Sequence, residues 1–187
     1  YWSDREGCRV TSCRTDGTAR ADLVSKEPGD PLDECVGVAV DEQHGWIYWT
    51  QKGPSKGGLG RILRAPLDRT DSRADLPDVE TLWEDLPEPI DLELSDGYIY
   101  WTDRGAGPEG NTLNRGAIPE PATKGAGREI LAHGFKEAIG LAVDVEREAV
   151  FVSDLSGTIR LVPLPGSNEE ERTVAAFEGP MTGLAMC

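Results

Sequence analysis

Tyr100-Trp101-Thr102-Asp103 is one of four places where the chain sets a large aromatic residue, a second large residue, a hydroxyl and usually an acid in a row. The others are Tyr1-Trp2-Ser3-Asp4, Tyr48-Trp49-Thr50-Gln51 and Phe151-Val152-Ser153-Asp154, and the first residues of successive tetrads lie 47, 52 and 51 positions apart. Aromatic residues followed by a hydroxyl or β-branched residue suit a pleated, half-buried strand. Recurrence at this period marks a repeat architecture, in which each unit buries its apolar faces against its neighbours.

The elements around the tetrads repeat as well. Val36-Gly37-Val38-Ala39-Val40-Asp41 matches Ile139-Gly140-Leu141-Ala142-Val143-Asp144, and Thr182-Gly183-Leu184-Ala185-Met186-Cys187 has the same pattern. Small and large residues alternate with period two, as in a strand packed on both faces. Turn residues such as Asp96-Gly97 lead from this strand into the tetrad. A third strand is predicted over 8–14, 61–67, 113–118 and 159–164, and a fourth over 19–24, 79–83, 129–131 and 173–177. Four strands in each unit of about 50 residues is the pattern of a propeller blade. A β-sandwich does not repeat one four-strand sequence in order. With 22 glycines and 13 prolines breaking every stretch, no amphipathic helix emerges and the fold class is all-β. The chain reads as one domain with blades over 1–34 (closed by 181–187), 35–88, 89–137 and 138–180.

The Y-W-[ST]-D tetrad preceded by a G-[VL]-A-V-D strand resembles the low-density-lipoprotein-receptor class B repeat, the YWTD family, over essentially the whole chain. The resemblance implies a β-propeller of six blades, of which four aromatic strands are present here. Glycine-rich loops over 51–60 and 103–112, with no growth-factor-like module following, make it similar to the stand-alone microbial form. Two architectures follow: part of a six-bladed ring completed by missing blades or a second copy, or a closed four-bladed ring.

The formal charge of -15 disfavours phosphate backbones and anionic lipid, so neither nucleic acid nor membrane is an expected partner. Cys8, Cys13, Cys35 and Cys187 form no C-x-x-C pair, and free buried thiols are the favoured reading. Together with the lack of an N-x-[ST] sequon, this leans toward the cytoplasm.

The third blade carries the main oddity. In Pro89-Ile90-Asp91-Leu92-Glu93-Leu94-Ser95, Asp91 replaces Gly37 and Gly140, and Glu93 replaces Ala39 and Ala142. Residues at i and i+2 share one side of a strand. Two carboxylates beside a propeller channel need an offset for the lost hydration: water, a basic side chain, a divalent cation or a bound ligand. Asp91 and Glu93 are therefore the candidate ligand or metal pair. Lys52, Arg104, Asn111, Asn114 and Arg115, in or just after the long loops, and His133, before an inner strand, complete the candidate binding set on the top face. His44, in a turn at the opposite end, cannot join them. Gly105-Ala106-Gly107-Pro108-Glu109-Gly110 spells a dinucleotide fingerprint, but no helical periodicity follows it, so it reads as a loop. The tetrad acids and tryptophans read as structural. The expected function is recognition of a small molecule or protein partner on the top face. The alternative is a metal-assisted lactone or ester hydrolase that uses Asp91 and Glu93, by fold-level analogy.

Overall fold

The computed structural model describes residues 1–186. They form fifteen β-strands, and the only helix among the described residues is one 3-10 turn at Pro31–Asp33. The first blade holds β1 (Trp2–Asp4), β2 (Arg9–Ser12) and β3 (Ala21–Ser25). The second holds β4 (Cys35–Asp41), β5 (Trp46–Gln51), β6 (Gly60–Pro66) and β7 (Glu80–Leu86). The third holds β8 (Pro89–Ser95), β9 (Tyr98–Asp103), β10 (Thr112–Ala117) and β11 (Glu129–Ala132), and the fourth β12 (Ala138–Asp144), β13 (Ala149–Asp154), β14 (Thr158–Pro163) and β15 (Arg172–Ala176). Within each sheet the strands pair antiparallel in chain order. This is the meander expected of propeller blades, with β4, β8 and β12 neighbouring one another as the inner strands.

Alternation along the tetrad strand assigns its aromatics to different neighbours. Trp49 faces the first blade, in a core with Val10, Val24 and Leu63. Tyr48 faces the third, in a core that it shares with Trp101 and Trp83. Tyr100 in turn joins Leu141, Val150 and Val152 of the fourth blade. Trp49 and Trp101 are fully buried, as a structural role for them requires.

The tetrad hydroxyl has a specific task. Each inner strand is irregular near its start, with register shifts between Cys35 and Val38, Pro89 and Leu92, and Ala138 and Leu141. A bulge frees a backbone N–H from the ladder, and a buried N–H needs an acceptor. Thr50 Oγ1 accepts from Gly37 N at 2.8 Å, Thr102 Oγ1 from Asp91 N at 3.1 Å, and Ser153 Oγ from Gly140 N at 3.1 Å. The Thr50 and Thr102 hydroxyls then donate across the blade boundary, to Ile90 O at 2.6 Å and Ile139 O at 2.5 Å, and Ser3 donates likewise to Val36 O. One side chain thereby repairs a bulge and links two blades. The tetrad acid fixes the corner entering the inner strand. Asp103 accepts from Glu88 N at 3.0 Å and Gly105 N at 2.9 Å, and Asp154 from Lys136 N at 3.0 Å.

Residues 181–186 depart from expectation. The segment expected to close the first blade is not a strand over its described part, and the first sheet has three strands. Without a ladder partner, the apolar alternation of Leu184 and Met186 does not suffice to make a strand. Gly183 lies instead against Gly140 of the fourth blade, its Cα 3.0 Å from where a Gly140 Cβ would stand. The last residue of that expected strand, Cys187, lies outside the described residues. None of the described helices is long and apolar enough to cross a membrane.

Candidate functional site

Asp91 and Glu93 project from β8 toward β12, on one side of their strand as the period-two reading requires. Asp91 accepts from Leu92 N at 3.0 Å and Leu141 N at 3.2 Å, and Glu93 accepts from Val143 N at 2.8 Å. Backbone N–H groups thus supply the offset sought from water, a base or a cation. Burial raises the pKa of both acids against the lowering effect of these hydrogen bonds, and the Asp91 charge pushes Glu93 further up. As a metal centre the pair is short of ligands. Among the described residues, no group of three or more His, Cys, Asp or Glu side chains could hold an ion. Asp91 and Glu93 supply two of the several oxygen ligands that a hard cation takes.

The end of the blades where the inner strands begin carries a recurring set of charges. An acid stands immediately before each inner strand of blades two to four: Glu34, Glu88 and Glu137. A base stands immediately after each tetrad of blades one to three: Arg5, Lys52 and Arg104. Antiparallel pairing of the inner and tetrad strands brings these positions to the same end of the blade, as Cys35 opposite Gln51 illustrates. Lys52 lies 2.9 Å from Glu34, which also faces Arg5 at 3.7 Å. Arg104 binds fully buried Glu88 at 2.6 Å and reaches Glu137 of the next blade at 3.9 Å. Lys56 approaches Glu137 at 3.8 Å, while its backbone N–H donates to Glu88 at 2.9 Å. The result is a belt of alternating charge across successive blades, and its most exposed members are Lys56, Arg5 and Glu137. In the fourth blade the basic position is Leu155, and the belt stops there.

Of the residues expected on the top face, Lys52 and Arg104 are in this belt. Asn111 braces it, accepting from Glu137 N at 3.0 Å. His133 is exposed in the segment before β12, where its carbonyl accepts from Arg160 at 2.9 Å. Asn114 and Arg115 stand on β10, within the strand predicted over 113–118. Asn114 lies in β10 opposite Trp101, wholly buried, with its amide donating to Thr112 at 2.9 Å. Arg115 stands 4.7 Å over the Tyr98 ring and pairs with Glu129 at 2.8 Å. The loop ends earlier than its glycines suggested, because Thr112 already pairs with Asp103. The three glutamates were missed, although their fixed place directly before each inner strand is readable. The G-x-G-x-x-G stretch forms a loop closed by a Gly110 N to Ala106 O bond of 2.9 Å and returns as β10.

A curated protein of Pyricularia oryzae named low-density lipoprotein receptor-related protein 1 is 44% identical to the chain over 201 aligned positions, covering all of the chain and 63% of that protein. A 3-hydroxyacyl-CoA dehydrogenase-like protein of Cochliobolus heterostrophus is 38% identical over 206 positions, again covering all of the chain and 43% of that protein. The chain therefore spans less than two thirds of the length of either relative. No protein-family model matches it. Among solved structures, a luciferin-regenerating enzyme superposes with a TM-score of 0.70 at 13% identity, covering 95% of the chain and 59% of that structure. The soluble aldose sugar dehydrogenase of Escherichia coli gives 0.60 at 15%, covering 91% and 58%. The WD40 β-propeller domain of Doa1 gives 0.52 at 15%, covering 95% and 49%. At these identities the likenesses show the fold: the chain is a β-propeller.

Proposed function

We propose that the chain is a YWTD-type propeller acting as a recognition module, which takes a small molecule or protein partner on the face carrying the charge belt. The observation that carries this reading is the belt itself. Its acids and bases recur at equivalent positions of successive blades, on backbone fixed by the tetrad corners, so they present a preorganised polar surface. The 44% identical relative named as a lipoprotein receptor-related protein supports it. The test is a thermal-shift screen of metabolites and short peptides against the protein and a Lys56→Ala/Glu137→Gln variant. A ligand of this face raises the melting temperature of the parent and has little effect on the variant. A ligand that shifts both equally binds elsewhere and refutes the assignment.

The second reading, a metal-assisted lactone or ester hydrolase, draws on the raised acids Asp91 and Glu93. The dehydrogenase names among the relatives and structural neighbours also keep an enzyme in view. Metal analysis of the purified protein with Asp91→Asn/Glu93→Gln as control tests it: a stoichiometric ion lost in the variant favours the hydrolase.

A further inference from the structure

Arg64 and Arg115 hold the same place in successive blades. Each lies on the third strand, opposite the tetrad tyrosine on one side and a glutamate of the fourth strand on the other: Tyr48 and Glu80 for Arg64, Tyr100 and Glu129 for Arg115. Each stands 4.7 Å over the ring that opens the tetrad strand, Trp46 or Tyr98, and meets the hydroxyl of its tyrosine. Their forks end differently. Arg64 binds Glu80 at 2.8 Å and gives further N–H groups to two successive main-chain carbonyls of the third blade, Pro119 O at 2.7 Å and Glu120 O at 2.8 Å. Arg115 Nε donates to Glu129 at 2.8 Å, and among the described residues no main-chain carbonyl accepts from its guanidinium. The fourth blade does not supply one, because the chain after β14 turns back at once, with Ser167 N donating to Leu164 O at 3.0 Å. The Arg115 side chain is accordingly 16% exposed, against 2% for Arg64. A cavity of about 260 Å³ opens beside its fork, between Tyr98, Gly116, Gly127 and Glu129.

We propose that the Arg115 fork and the cavity beside it dock an extended, proline-bearing peptide segment of a partner protein, whose two successive carbonyls take the place that Pro119 and Glu120 hold at Arg64. The occupant follows from the equivalent site, where Pro119-Glu120-Pro121 is the segment held. A guanidinium presents its donors in a fixed geometry, and a charged donor binds a carbonyl more strongly than a neutral one. Proline keeps the segment extended without internal hydrogen bonds, so its carbonyls are free and little entropy is lost on docking. The Tyr98 ring supplies an aromatic wall of the kind such segments pack on. Tyr98 opens β9, whereas the belt lies beyond the far end of that strand, so this site does not depend on the assignment of the belt.

Calorimetric titration with acetyl-Ile-Pro-Gln-Pro-Ala-amide tests the proposal. The probe copies residues 118–122, with glutamine in place of Glu120 so that no carboxylate meets the fork. Acetyl-Ile-Ala-Gln-Ala-Ala-amide is the proline-free control. The proline probe should bind about threefold tighter than the control, through preorganisation. Arg115→Lys keeps the charge but loses the fork, and should weaken binding of the probe about tenfold. In the nitrogen–proton spectrum of the parent, the Gly116 and Gly127 amide signals should shift as the probe is added, which keeps the test valid if Arg115→Lys folds poorly. Absence of binding overturns the proposal, as do equal affinities of the parent and a folded Arg115→Lys variant, equal affinities for the two peptides, or shifts confined to other residues. Acetate binding as tightly as the proline probe overturns it too, because the fork then takes any small carboxylate.

Discussion

The Glu93 carboxylate of the third blade accepts a 2.8 Å hydrogen bond from the Val143 backbone N–H of the fourth. A glutamate on one inner strand thus serves as a staple to the next. Charge and hydrogen bond can be separated by mutation. Glu93→Gln keeps an acceptor and removes a partly desolvated anion, so stability at neutral pH should hold or rise slightly. Glu93→Ala removes the acceptor and should cost about 1 kcal/mol in urea denaturation. Equal effects of the two variants would contradict the staple.

Asp103 predicts a pH dependence. Burial raises its pKa from 3.8 to about 6, against the lowering effect of its bonds from Gly105 and Glu88. An acid raised in the folded state holds its proton more tightly there than in the unfolded chain. Its contribution to stability is complete below the unfolded value and is lost as pH rises through about 6. The shift corresponds to up to about 3 kcal/mol. Asp91 and Glu93, also raised, act in the same direction. Relative to Asp103→Asn, the parent should lose stability between about pH 4 and pH 7. Parallel stability curves for the two proteins would show that this carboxyl does not titrate as described.

Inner-strand glycines differ in what they allow. A Cβ at Gly37 would stand 2.5 Å from Ile90 O and 2.9 Å from Asp91 Cα, both backbone atoms of the next blade. A Cβ at Gly183 meets nothing within 4 Å. Gly37→Ala should lower stability by about 2 kcal/mol or more through overpacking, and Gly183→Ala by less than about 0.5 kcal/mol. Melting curves of the two variants check the contrast.

In the belt, burial decides the energetics. Glu88 is fully buried and depends on Arg104, whereas Arg5 is half exposed and 3.7 Å from Glu34. Arg104→Ala should cost about 3–5 kcal/mol by stranding a buried anion. Arg5→Ala should cost less than about 1 kcal/mol, as exposed pairs do. Chemical denaturation of both variants at the same pH compares them directly.

Cys8 and Cys13 flank β2, and both are free, as is Cys35. Cys13 is exposed, while burial pushes the Cys35 thiol up to about 12. Alkylation at neutral pH should mark Cys13 quickly and leave Cys35 untouched until the protein unfolds. A mass spectrum of unreduced protein with a Cys8–Cys13 link would refute this arrangement.

The blades were legible because their determinants are local and repeated. Val36 to Asp41 and Tyr48 to Gln51 each carry their own period-two pattern, and repetition fixed their order. The carboxylate pair was legible only as a break in that pattern, and only its placement on one side of β8 could be read. Its acceptor role could not, because Val143 lies 50 residues further along the chain. Asn114 was set on the right strand but counted as a binding-face residue for a related reason: its polarity suggests exposure, and only the pairing of β9 with β10 sets it opposite Trp101 in the core. Residues 181–186 show the opposite limit, a strand pattern without a ladder to join.

The division of the aromatics of the second and third tetrads, tyrosine toward the following blade and tryptophan toward the preceding one, makes the molecule a nearest-neighbour lattice. Each apolar boundary draws on two adjacent sheets, and none of the three cores is shared by a third. Free energy in such a lattice is a sum over units and their boundaries. Changes at separate boundaries, for example in the Trp49 core and in the Tyr100 core, should therefore add independently, and one boundary can diverge in sequence without retuning the others.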